Sequence, residues 1–266
     1  MSAPASRPDN AGQVTLSIND DIATIVFDRP EARNAMTWAM YQDLAAAIGR
    51  IRDIPSLRVA VLRGAGGKAF VAGTDITQFR DFRSGEDGVA YEEKIDSAIA
   101  ALDSIPVPTV AVVEGYAVGG GLAIANACDL RIAATGARFG VPIARTLGNC
   151  LSAANLARLT STLGPSWVRR MLLLAEMPPA EDLAPTGYLA AVVPPEQLEE
   201  QIAKTCRRLR EHAPVTLAVT RETLRRLERR TLPDISDLIR TAYGSADFHR
   251  GVSAFGTDQA AQWQGN

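Results

Sequence analysis

The stretch from Pro108 to Cys128, PTVAVVEGYAVGGGLAIANAC, decides how the rest of the chain is read. An apolar extended run, Val110 to Val118, leads into three consecutive glycines, Gly119, Gly120 and Gly121, and then into a short apolar helical segment, Leu122 to Ala127. Strand, glycine turn and helix start bring bare backbone N–H groups to one point. Glycine accepts positive φ and lets another molecule approach the peptide plane, and the first N–H groups of a helix have no intrahelical partner. Such groups stabilise negative charge. The same glycines would equally permit close strand-helix packing, so the triplet by itself leaves a ligand site and a packing device both open. Val107 to Ala127 is apolar enough to suggest a membrane span, but Pro108, Glu114 and four glycines argue for buried core.

On the N-terminal side, Gln13 to Ile18 and Ile22 to Asp28 read as β-rich runs joined in a hairpin around Asn19, Asp20 and Asp21. A helix is predicted over Thr37 to Asp53, with Thr37 as N-cap and apolar positions at Leu44, Ala47, Ile48 and Ile51. Val59 to Leu62 is a short buried strand, Gly64, Gly66 and Gly67 a turn, Ala69 to Ala72 another extended run, and Tyr91 to Ser104 a helix. Gly64, Gly66 and Ala69 have the spacing of a dinucleotide fingerprint. The residues that follow, Phe70 to Gly73, read extended where that fingerprint must open into a helix.

From Glu196 the texture changes. Glu196 to His212, Val215 to Arg230 and Ile235 to His249 carry helical periodicity, punctuated by Pro214 and Pro233. The division that results is a flexible tail over residues 1–12, an α/β unit over 13–195 and a helical module over 196–266. Arginines crowd the module, among them Arg207, Arg208, Arg210, Arg221, Arg225, Arg226, Arg229 and Arg230. They interleave with Glu199, Glu200, Glu222 and Glu228, the pattern of a solvated helix face rather than a nucleic-acid surface. Across 266 residues, 28 Lys and Arg against 30 Asp and Glu point to no polyanionic partner and no membrane surface. Cys128, Cys150 and Cys206 are too widely spaced for a disulfide framework or a zinc site, so a reducing, cytoplasmic setting is expected and no metal.

Four blocks in order, Asp28 to Met36 (DRPEARNAM), Ala69 to Ile76 (AFVAGTDI), Pro108 to Cys128 and Ala137 to Gly140 (ARFG), resemble the successive blocks of the enoyl-CoA hydratase/isomerase, or crotonase, superfamily. The resemblance covers nearly the whole chain. It implies an α/β fold, a crotonase-like core of repeated ββα units with a C-terminal helical oligomerisation module, and a homotrimer or dimer of trimers. It also implies an acyl-CoA thioester as substrate, with coenzyme A entering only as part of it and no permanently bound cofactor.

The chemistry of such a family gives the glycines a use. A thioester carbonyl gathers negative charge when its α-carbon is deprotonated or attacked, and two aimed N–H groups stabilise the oxyanion. By resemblance those donors are the backbone amides of Thr74 and Gly120. Ala32, Arg33, Ala72, Asp75 and Ile76 fall where similar proteins hold CoA, with Arg33 a candidate for a CoA phosphate. Ala123, Pro142 and Ile143 fall beside the acyl group. Hydratases of this family activate water with two glutamates, and those places here hold Ala123 and Ile143. Neither side chain accepts a proton. A standard two-glutamate hydratase is therefore not expected; an acyl-CoA enzyme of another reaction is, with a non-catalytic acyl-CoA-binding protein or oligomeric partner as the alternative.

Other groups are candidates for the missing acid or nucleophile. Arg145, Asn149 and Cys150 lie in a segment that departs from the family's wording. The plainer readings are a turn residue for Asn149 and a buried, inert thiol for Cys150. Glu114, in an apolar run, needs a partner. Glu92 and Glu93 fall on the predicted helix before the glycine strand, where a solvated face is the simpler expectation and the wall of the acyl pocket the other. Asp129 and Arg131 are expected to tie down the end of the glycine-triplet helix. Phe79, Phe82, Tyr91 and Leu147 are expected in the pocket wall.

Overall fold

Strand β1 (Gln13–Asn19) pairs antiparallel with β2 (Ile22–Asp28), from Gln13 opposite Asp28 to Asn19 opposite Ile22, the turn being made at Asp20 with φ 54°. The computed structural model describes residues 11–228, 234–257 and 263–264. Of the expected tail only Ala11 and Gly12 fall among them, and Arg229, Arg230 and Pro233 lie outside. Helix α1 (Trp38–Arg52) is capped as expected, the Thr37 side chain accepting from Met40 N–H. It buries Leu44, Ala47, Ile48 and Ile51.

The chain then repeats one device. Strands β3 (Val59–Gly64) and β4 (Ala69–Val71) precede α2 (Gly85–Asp103); β5 (Thr109–Val113) and β6 (Tyr116–Val118) precede α3 (Gly120–Ala127); β7 (Leu130–Ala134) and β8 (Arg138–Gly140) follow. The first strand of each pair joins a six-stranded sheet completed by β9 (Ala191–Val193), in the order β1-β2-β3-β5-β7-β9. The second joins a three-stranded sheet, β4-β6-β8. Every pairing after the first hairpin is parallel. This is the expected α/β architecture of repeated ββα units, and the Gly64 to Gly67 turn opens into strand β4 rather than a helix.

Between β8 and β9 lie α4 (Ile143–Thr146), α5 (Ala153–Leu173) and α6 (Ala180–Leu183); α7 (Leu198–Glu211), α8 (Pro214–Glu228), α9 (Ser236–Tyr243) and α10 (Ala246–Ala254) follow. Three sequence expectations need correction. The apolar run from Val110 to Val118 is two strands in different sheets, broken at Gly115, whose φ is 63° and where a Cβ would fall on the Lys68 carbonyl. Helix α2 starts at Gly85, six residues before the predicted Tyr91. Asp87 accepts from the backbone N–H of Ser84 at 2.9 Å and so closes its first turn. The segment from Ile235 to His249 is two helices, separated at Gly244 and Ser245, with the Ser245 hydroxyl accepting from Phe248 N–H. Glu114 finds its partner in Arg63 at 3.3 Å, and Asp129 accepts from Thr109 N–H at 2.6 Å. Arg131 donates to the Cys128 carbonyl at 2.7 Å, just beyond the end of α3.

The main core runs between the layers through Ile25, Phe27, Phe70, Leu122 and Phe139, and includes Ile239, Tyr243 and Phe248 from α9 and α10. Each fully buried side chain of this size contributes about 2–3 kcal/mol. Helix α9 reaches this depth because α2 carries glycines where the two meet: a Cβ on Gly85 would land on the Arg240 backbone, and one on Gly88 on the Tyr243 ring. Among the described residues no helix is long and apolar enough to cross a membrane.

Candidate active site

The three strands of the small sheet are parallel, so their carboxyl ends open on one side, the place where parallel sheets present loops and helix starts to a ligand. A cavity of about 540 Å³ lies there. Its wall takes in residues 72–76 after β4, Gly119 and Gly120 after β6, and Pro142, Ile143, Arg145, Thr146 and Leu147 after β8.

The glycine triplet divides its work. Gly119 turns the chain with φ 54° and donates to the Gly140 carbonyl at 2.9 Å. Gly121 is a packing residue, since a Cβ there would fall on the Val71 carbonyl. Gly120, the first residue of α3, faces the cavity, and a Cβ on it would stand 3.2 Å from the Tyr41 hydroxyl and 3.3 Å from Thr74 Oγ1. Packing accounts for Gly121, and Gly120 is the glycine left open to the cavity.

Opposite Gly120 stands Thr74. Met36 N–H donates to the Gly73 carbonyl at 2.8 Å, and Asp75 N–H to the Met36 carbonyl at 2.9 Å. This parallel bridge takes the groups on either side of Thr74 and turns the Thr74 amide the other way. Among the described residues neither Thr74 N–H nor Gly120 N–H has a protein acceptor. The Thr74 hydroxyl is engaged with Tyr41 OH at 3.0 Å and Tyr91 OH at 2.9 Å. Burial pushes the Tyr41 phenol up to about 12 and that of Tyr91 well above its ordinary value, so both remain neutral.

At the mouth, Ala32, exposed Arg33, Ala72, Asp75 and Ile76 all border the cavity. Arg33 lies over the Tyr116 ring at 5.5 Å. Asp75 is engaged within the protein: its carboxylate accepts from Arg29 at 2.7 Å and from Thr77 N–H at 2.9 Å. Burial alone would raise its pKa, but the Thr77 hydrogen bonds and the Arg29 charge outweigh that and hold it below the usual carboxylate value. Its place is that of a loop clamp. Ala123, Pro142 and Ile143 border the cavity deeper in, as do Phe79, Tyr91 and Leu147. Phe82 stands behind them, its ring 5.2 Å from Phe79.

Glu92 overturns the expectation of a solvated face. It is 3% exposed and borders the same cavity, whereas Glu93 is exposed. Its two oxygens accept from Tyr243 OH at 2.6 Å and from Ser152 N–H at 2.9 Å. Burial raises its pKa to about 7 against the lowering pull of those hydrogen bonds, with the Asp96 charge adding to the rise. Asp96, one turn on, accepts from Ser152 Oγ at 2.6 Å and from Asn155 Nδ2 at 3.1 Å. Asn149 is more than a turn residue: it borders the cavity, and its Nδ2 donates to Tyr243 OH at 3.1 Å. Cys150 is half-buried and stands off the cavity wall, its thiol pushed up to about 12 by burial and then by the Glu92 charge. Tyr41, Tyr243, Ser152 and Asn155 carried no signal in the sequence. Tyr243 lies far from Glu92 along the chain, and only the glycines of α2 hint that something must pack there.

The chain belongs to the enoyl-CoA hydratase/isomerase family, whose profile matches residues 17–266. It is 34% identical over 215 residues to the (E)-benzylidenesuccinyl-CoA hydratase of Thauera aromatica, a match covering 79% of this chain and 80% of that protein. To the short-chain-enoyl-CoA hydratase of Clostridium acetobutylicum it is 29% identical over 213 residues, covering 80% of this chain and 81% of the other. A solved methylmalonyl-CoA decarboxylase in complex with 2-nitronate-propionyl-CoA superposes with a TM-score of 0.86 at 26% identity, covering 96% of this chain and 99% of that one.

Proposed function

We propose that this protein is an enzyme acting on an acyl-CoA thioester, with the N–H groups of Thr74 and Gly120 holding the thioester oxygen as it becomes an enolate or tetrahedral oxyanion. The observation that carries this reading is the pair of neighbouring residues on the cavity wall, Thr74 and Gly120, whose amides have no acceptor among the described residues. A donor of this kind is worth about a hundred- to thousand-fold in rate. The relatives support the substrate class, since hydratases and a decarboxylase that share the fold all act on CoA thioesters by name. Ala32, Arg33, Ala72 and Ile76 would receive the CoA portion, with Asp75 and Arg29 fixing the loop. Ala123, Pro142 and Ile143 would flank the acyl group. Coenzyme A then enters with the substrate, and the proposed enolate chemistry needs no resident cofactor.

With Ala123 and Ile143 at the places of the two hydratase glutamates, the reaction is one other than standard two-glutamate hydration. The protein would work as a homotrimer or dimer of trimers, for which α8 offers Val215 and Val219, exposed one turn apart. Calorimetric titration with CoA and short acyl-CoAs tests the ligand, and absence of binding at about millimolar concentration overturns the reading. Mass spectrometry of enoyl-, β-keto- and aryl-CoAs after incubation tests turnover; full recovery of every thioester on a protein that binds them favours a binding protein. Crotonyl-CoA hydration at ordinary enzyme rates refutes the inference drawn from Ala123 and Ile143.

A further inference from the structure

We infer that Glu92 is the proton-transfer group of this site, aimed and tuned by Tyr243 and Asn149. The inference rests on the thioester reading above. Glu92 borders the same cavity as Thr74 and Gly120, and it is the one carboxylate in the described wall without a cationic partner, Asp75 being paired with Arg29. A buried carboxylate held only by neutral donors is costly to keep, and such groups gather where proton transfer is needed. Two of its lone pairs accept from Tyr243 and Ser152. Others remain for a proton from the cavity side.

The hydrogen bonds fix a direction. Asn149 Nδ2 donates to the Tyr243 oxygen, so the single phenolic proton of Tyr243 is directed at Glu92 Oε1. The Asn149 Oδ1 atom is buried without a partner among the described residues, which leaves the amide oriented by its donor side. The titratable groups facing Glu92 are Asp96 on its own helix, Tyr243 from α9, Cys150 before α5, and Tyr41 and Tyr91, coupled to it through space. Each is neutral or anionic at neutral pH. Burial and the Asp96 charge favour the protonated acid, and the Tyr243 and Ser152 hydrogen bonds favour the carboxylate.

The step balances without a co-reactant. The carboxylate takes the α-proton of the thioester, and the C–H electron pair moves into the α-carbon–carbonyl bond. The carbonyl π pair goes to the oxygen held by Thr74 and Gly120 N–H. Return of the proton to the α-carbon restores both partners, and in heavy water the acid exchanges before it returns a deuteron.

The test is exchange of the α-protons of butyryl-CoA and 3-phenylpropionyl-CoA in heavy water, followed by proton NMR, with thioester affinity measured in parallel. Wild type exchanges; Glu92→Gln exchanges about 10²- to 10⁴-fold more slowly with affinity within a few-fold. Tyr243→Phe, which removes a donor to the carboxylate, moves the pH midpoint of exchange upward, an effect a merely structural brace would not give. It also serves if Glu92→Gln fails to fold by circular dichroism. Exchange by Glu92→Gln within about three-fold of wild type overturns the assignment and leaves the oxyanion reading intact. An unmoved pH midpoint in Tyr243→Phe overturns it too. A wild type that binds both thioesters and exchanges neither removes the enolate reading and this inference with it.

Discussion

Glu92 should also mark the pH dependence of stability. An ordinary glutamate near 4.5 becomes one near 7 in the fold because burial penalises its charge. Between those values the folded protein keeps a proton that the unfolded chain releases. The stability that neutral Glu92 contributes is therefore fully present below about 4.5 and lost as the pH rises through about 7. At about 1.4 kcal/mol per pH unit per proton, the loss is roughly 3 kcal/mol. Glu92→Gln removes it. Glutamine copies the protonated acid, with one acceptor and one donor atom. Its oxygen can take the Ser152 N–H while Tyr243, which has a free lone pair, turns to accept from the amide. Urea denaturation at fixed protein concentration and ionic strength reads the difference. Near pH 5 the variant and wild type should agree to about 1 kcal/mol, and near pH 9 the variant should be the more stable by roughly 3 kcal/mol. Parallel stability curves for the two proteins from about pH 5 to 9 would refute the account of a carboxylate neutralised by burial.

The glycine triplet allows a contrast within two adjacent residues. Gly120→Ala keeps its N–H but places its methyl at the cavity wall against the ends of Tyr41 and Thr74, which can shift by a few tenths of an ångström, so the variant should fold and, by displacing the thioester, lose about a hundred-fold in kcat/KM. Gly121→Ala drives its methyl into the Val71 carbonyl, a backbone group that cannot give way, and should cost on the order of 3 kcal/mol or more by thermal denaturation. Equal stability of the two variants would contradict the division of roles. Cys150 should resist alkylation, since a thiol pushed up to about 12 carries roughly a thousandth of the thiolate of a free cysteine at neutral pH. Rapid labelling of Cys150 in the native protein, seen by mass spectrometry, would show the burial argument to be wrong.

What the sequence disclosed and what it withheld divide along a physical line. Backbone features were legible. Thr37 capping α1, the hairpin at Asp20 and the ββα alternation all follow from local rules about caps, turns and periodicity. Where one apolar run crosses between sheets, as at Gly115, the local pattern is unchanged and the break is invisible. The site followed the same division. The resemblance could point to the Thr74 and Gly120 amides as candidate donors because backbone atoms at strand ends are fixed by the fold. Glu92 looked like any helix-face acid, because its burial depends on Tyr243, which arrives from a helix about 150 residues later. The early start of α2 escaped for a related reason. Gly85 and Gly88 are poor helix residues locally, and they are present for the approach of α9.

The same line explains how one fold can serve several reactions of CoA thioesters. The proposed oxyanion donors are main-chain N–H groups, held by the Met36 bridge on one side and the start of α3 on the other. Side-chain substitution leaves them in place, provided Gly120 and Gly121 keep their space. The acid is a different kind of part. The acid inferred on α2 is a side chain, and a side chain can be exchanged without moving the amides. A carboxylate so deep requires donors, and the nearest are the Ser152 N–H and the Tyr243 hydroxyl of α9. On the proposed reading α9 then belongs to the proton-handling apparatus. A substitution that loosens α9 from α2, such as Gly88→Ala against the Tyr243 ring, should weaken exchange chemistry while leaving the strand-held amides where they are.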